Sequence, residues 1–123
     1  MGDYIVQSHW MAVNKVKASV PAFVHALVYS LVFLALRPSL LAWLAIFSTH
    51  FVIDRWRLAR YVVIIKNWVL APSSFRDEWL DSNPLITATG FPEGTPVWLA
   101  TWLLIIVDNT LHLLCNGAAL RWL

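Results

Sequence analysis

The chain alternates between long apolar runs and short polar interruptions. Residues 20–36, VPAFVHALVYSLVFLAL, carry no formal charge and one weakly titratable side chain, His25. As a helix this run is about 25 Å long, close to the ~30 Å hydrocarbon core of a bilayer. Arg37 and Pro38 mark a tight turn after it. A second run, SLLAWLAIFSTHFVI at 39–53, is short alone but continues into DRWRLARYVVIIK, so the pattern predicts one helix over 39–66 with a basic end. A third run, VWLATWLLIIVDNTLHLLCNGAALRWL, is interrupted before Arg121 chiefly by Asp108 and His112. Thr95 and Pro96 fit its N-cap and first helical position, giving a helix over 96–120.

The remaining segments differ. Asn67 to Pro96 holds four of the six prolines and most of the acids. Residues 67–95 therefore read as a surface loop, with a short helix near 74–80. At the start, Asp3, Gln7 and Asn14 fall near one helical face, with Ile5, Val6 and Val13 supplying apolar surface. Residues 1–18 are too broken to span a bilayer and read as a short interfacial helix. The expected fold is an all-α integral membrane helical bundle in a single membrane domain, 1–123. It has three transmembrane helices plus the short N-terminal interfacial helix.

Composition strengthens this reading. Of 123 residues, 59% are hydrophobic and 13% charged, whereas a soluble domain has roughly a quarter charged. Eight tryptophans suit the membrane interface. The net charge of +2 does not argue for nucleic acid, and the basic run RWRLAR, followed by Lys66, fits anionic lipid headgroups instead. With the N-terminus in the cytoplasm, Lys15, Lys17, Arg55, Arg57, Arg60, Lys66 and Arg76 fall inside, and only Arg37 and Arg121 outside. The opening residues lack the basic-then-apolar order of a secretory leader, so insertion without a cleaved leader is expected. One cysteine, Cys115, excludes an intrachain disulfide and reads as an inert buried thiol.

The polar residues inside the apolar runs carry the candidate chemistry. His50 and Asp54 are four residues apart and share a helical face. Asp108 and His112 are also four apart, in reversed order. On antiparallel helices the reversal sets Asp54 level with Asp108 and His50 level with His112. The four then converge as ligands for a divalent metal, zinc first, with manganese or another ion as alternatives. An Asp at a helix centre costs about 2.5–3.5 kcal/mol on insertion scales, so such groups pair, face the bundle interior or mark function. His25 falls at a similar depth and, with Asp3, is the next candidate, as a ligand or proton-transfer group. Gln7 and His9 could help bind the cofactor from a helix capping the inner face. Two readings without a metal remain open: a hydrogen-bonded polar network and a proton relay. Ser30 and Thr49 are expected to bond back to their own helices. No Gly-rich phosphate loop and no HExxH motif occurs.

DYIVQSHWMAVNK, HALVYSLVF, THFVID and VDNTLHLL, in that order and nearly spanning the chain, resemble a family of small bacterial and phage membrane proteins known as domain of unknown function 3307. The family pattern has an aspartate and a glutamine, a lone histidine, His-x-x-x-Asp and Asp-Gln-x-x-His. The resemblance places these on Asp3 and Gln7, His25, His50 and Asp54, and Asp108 and His112, with Asn109 in place of the usual glutamine. Family members carry another histidine shortly before the first aspartate, and His9 is its candidate substitute here. The chain is more distantly similar to proteins described as membrane-bound metal-dependent hydrolases of the inner membrane.

Together these readings give an expected function. It is a metal-binding protein of the bacterial inner membrane, a hydrolase acting on a lipid headgroup or other phosphoester at the inner leaflet. Membrane lipids are its expected partners, with a homo-oligomer open and no nucleic acid. The alternatives are a structural or pore-forming phage or bacterial membrane protein, or a proton or ion conduit, without a metal.

Overall fold

A computed structural model describes residues 8–81, 87–92 and 94–123, and these residues form helices joined by turns and short loops. The first helix, α1 (His9–Asn14), is capped by Ser8, whose hydroxyl accepts from the Met11 amide at 3.3 Å. Such a side-chain acceptor satisfies one of the free amides of the first turn. α2 (Ser19–Val32) tolerates Pro21 because the missing amide falls in the first turn, and it tightens into a 3-10 turn over Phe33–Leu36. Arg37 closes that turn in the left-handed region (φ 51°), and Pro38 prevents the helix from resuming.

α3 (Leu40–Trp56) starts at Ser39, whose hydroxyl accepts from the Ala42 amide at 3.0 Å. The expected continuous helix over 39–66 is not present. Arg57 adopts the left-handed conformation (φ 51°) and ends α3, its amide donating to the Asp54 carbonyl at 3.3 Å. α4 (Leu58–Leu70) then begins afresh. No glycine or proline marks this break, so hydrophobic periodicity runs through it unchanged. The proline-rich segment contains α5 (Ser73–Asp81), matching the short helix expected near 74–80. α6 (Val97–Trp122) begins one residue later than expected, with the Pro96 carbonyl accepting from the Ala100 amide at 3.0 Å.

Among the described residues, two stretches are long and apolar enough to cross a membrane: Ser19–Leu36, with 18 residues, and Val97–Trp122, with 26. Large apolar side chains stay exposed along both, including Phe23 and Leu31 on the first and Ile106, Leu113 and Leu114 on the second. Lipid-facing helices carry such a surface, and soluble helices rarely do. α3 has 17 residues and ends in charged side chains.

The chain forms two compact units, Met1–Arg57 with Leu111–Leu123, and Leu58–Thr110. In the first, α2 packs against α1 and α3, and Tyr29, Ile46 and Ala119 form its apolar centre with Phe33 and Ala45 alongside. In the second, Val63, Phe91 and Ala100 are buried with Leu103, Leu104 and Val107 around them.

Gly90 holds the second unit's loop against α4. Its φ is +81°, and a Cβ there would stand 3.0 Å from both the Arg60 carbonyl oxygen and Ile64 Cγ1. Its amide donates to Thr87 Oγ1 at 3.0 Å. Backbone strain and a clash with main chain therefore coincide. Gly90→Ala is expected to lower stability by about 1–3 kcal/mol, read as a fall in the unfolding midpoint of detergent-solubilised protein.

Candidate metal centre

The first unit gathers four ionisable side chains into its interior. α2 supplies His25, α3 supplies His50 and Asp54 from one face, and the last part of α6 supplies His112. All four are buried. Their polar atoms converge on the Asp54 carboxylate. Oδ2 lies 2.9 Å from His25 Nε2 and 3.4 Å from His50 Nε2, while Oδ1 lies 3.5 Å from His112 Nε2. The two imidazole nitrogens, His25 Nε2 and His50 Nε2, are 3.0 Å apart.

These separations test whether the donor set suits a metal ion. Ligands bonded at 2.0–2.1 Å around a tetrahedral zinc stand about 3.3 Å from one another. The triangle formed by His25 Nε2, His50 Nε2 and Asp54 Oδ2 has edges of 2.9, 3.0 and 3.4 Å. Two imidazoles and a carboxylate also match the donor chemistry of zinc and its neighbours in the transition series. The residues present fit a divalent ion, and His25, His50 and Asp54 form a group able to hold one.

The surrounding side chains fix the rings. Tyr29 stacks on His50 with centroids 3.7 Å apart and planes 16° from parallel. The His50 and His112 rings lie 4.1 Å apart. The Tyr29 hydroxyl accepts a hydrogen bond from Asn116 Nδ2 at 2.8 Å, tying α2 to the end of α6. The carboxylate also has a cationic neighbour, with Lys15 Nζ 2.9 Å from Asp54 Oδ2. Arg55, one residue beyond Asp54, donates from Nη1 to the Val16 carbonyl at 3.0 Å and from Nε to Ser19 Oγ at 3.3 Å. The link that bears Lys15 is thereby held to α3.

Asp108 is half-buried one turn before His112 on α6, in the part of that helix belonging to the second unit. His9 is exposed at the start of α1. Asp3 and Gln7 lie outside the described residues. Cys115, expected buried, is half-buried and free. The hydroxyls of Ser30 and Thr49 bond back to the Leu27 and Ala45 carbonyls at 2.9 and 2.8 Å, as their helical setting predicts.

Three contributors escaped the sequence reading: Lys15, Tyr29 and Asn116. Tyr29 and Asn116 had a usable signal, because each lies four residues beyond a site histidine, His25 or His112, and so on the same face. Lys15 had none, since it is remote in sequence from the carboxylate it meets. In comparisons with known proteins, no family model, curated protein or solved structure matches the chain.

Removing Asn116 takes the donor from a buried hydroxyl. Asn116→Ala is expected to destabilise by about 1–3 kcal/mol, and Tyr29→Phe to cost less in that background than in the wild type. A double-mutant cycle on unfolding in detergent should give a coupling of about 1 kcal/mol. Simple additivity would mean that the bond does not link the two helices.

Proposed function

We propose that the chain is an integral membrane protein that binds a divalent metal ion, zinc foremost, and uses it to hydrolyse a phosphoester such as a lipid headgroup at the inner leaflet. The observation that carries this reading is the closed triangle of His25 Nε2, His50 Nε2 and Asp54 Oδ2, with edges of 2.9–3.4 Å in a buried setting. His112 approaches the other carboxylate oxygen as a fourth donor. Asp108 is a further donor by its one-turn spacing from His112 on a continuous helix. Asp3, Gln7 and His9 are kept as outer contributors by the resemblance to domain of unknown function 3307, which also suggests the bacterial inner membrane. The distribution of lysine and arginine supports a cytoplasmic N-terminus, with α3 as a third crossing between the two longer ones. Membrane lipids are the proposed partners, and a homo-oligomer would bury apolar surface left open by so few helices.

A bound divalent ion would supply a Lewis acid and an acidified water at neutral pH. The chain's own residues would do the rest. Asp54 and His50 would set the ion's position from one helical face, and the Tyr29 stack would keep the His50 ring from turning. His25 would complete the ligand triangle through Nε2, from the neighbouring helix.

A second reading is favoured by one observation. Lys15 Nζ, Asp54 Oδ2, His25 Nε2 and His50 Nε2 form a chain of contacts of 2.9–3.0 Å. Such a chain suits a proton relay without a metal.

Elemental analysis separates the two. Purified wild-type protein is expected to carry stoichiometric zinc or manganese, lost in His50→Ala and reduced in Asp108→Asn. Chelation should abolish phosphoester hydrolysis, and His25→Ala, which removes one corner of the triangle, should lower bound metal and hydrolysis together. Metal-free wild type that carries protons into liposomes, and loses that flux in Asp54→Asn, would replace the hydrolase with the relay.

A further inference from the structure

We propose that Lys15 is the resident cation of the site and that metal binding is an exchange, in which the Lys15 ammonium gives up Asp54 to an incoming divalent ion. This rests on the metal-binding reading above and adds how the site is held before the ion arrives.

The geometry centres on one atom. Asp54 Oδ2 receives Lys15 Nζ at 2.9 Å, His25 Nε2 at 2.9 Å and His50 Nε2 at 3.4 Å. Oδ1 has His112 Nε2 at 3.5 Å. A divalent ion held by the two imidazoles and Oδ2 would stand about 2 Å from that oxygen. The ammonium would then face a doubly charged ion across the oxygen they share, where two cations repel strongly in a poorly screened interior. One of them must go.

Lys15 is built to leave. Its side chain is 17% exposed against 3% for Asp54 and 1% and 0% for His25 and His50. The histidines are enclosed and have nowhere to turn, whereas a four-carbon stem can swing its head toward water. The lysine need not lose a proton to do so. Until then it neutralises a carboxylate that would otherwise stand among apolar helices and imidazole rings. The metal-free cluster is thereby assembled in advance, and the ion enters a site already shaped.

The test uses the full chain in detergent, as wild type, Lys15→Gln and Lys15→Arg, with zinc as the probe. Affinity is read by competition with a chelating dye, and the unfolding midpoint is read on metal-free protein. Lys15→Gln should bind zinc at least about tenfold more tightly than wild type while unfolding at a lower temperature without metal. Lys15→Arg should restore both wild-type values. On the wild-type protein alone, acylation of Lys15 by an amine reagent, followed by mass spectrometry, should speed up several-fold when zinc is added. Unchanged or weaker zinc affinity in Lys15→Gln, or zinc-independent acylation, overturns the exchange and leaves the metal site standing. Zinc bound by none of the three proteins overturns the metal site, and the exchange with it.

Discussion

A carboxylate enclosed by apolar helices must be compensated, and the first unit is arranged around that requirement. Asp54 sits at the end of a helix whose earlier turns are almost wholly hydrophobic. Uncompensated, its charge would be costly enough to oppose the packing of α2 against α3. Three imidazoles and one ammonium meet it instead, each from a different part of the chain or a different turn. The same contacts that make the carboxylate tolerable also bring together donors with the spacing of a coordination shell. Structural need and chemical opportunity coincide at one side chain.

The supporting groups are as specific as the candidate ligands. Tyr29 covers one face of His50, and Asn116 anchors the tyrosine hydroxyl. The His50 ring is thus fixed by stacking on one side and by the His112 ring nearby. Rotational freedom, which a flexible imidazole would have to lose on binding an ion, is removed when the chain folds. The group is therefore ordered before any ion could reach it.

Much of this was legible in the residues. His50 and Asp54, and Asp108 and His112, stand out because ionisable groups at helical spacing are costly in an apolar run, and His25 stands out for the same reason. The helices around them follow from run length and from turn signals such as Arg37–Pro38. The break at Arg57 was not legible, because a left-handed arginine leaves no compositional trace and the apolar period continues on both sides. Lys15 was hidden differently. As one of several basic residues near a helix end it reads as an interfacial charge, and only folding shows that it turns inward to a residue 39 positions away. Long-range pairing of this kind has no local periodicity to betray it.

Arg55 gives the arrangement a mechanical character. It grips the Val16 carbonyl and the Ser19 hydroxyl from the position next to Asp54, so the strand of chain carrying the lysine is leashed to the carboxylate's own helix. A tug on the N-terminal helix then drags both ends of the ion pair in step. Ordinary flexing of the protein should not pull the pair apart; it takes a chemical competitor to open it.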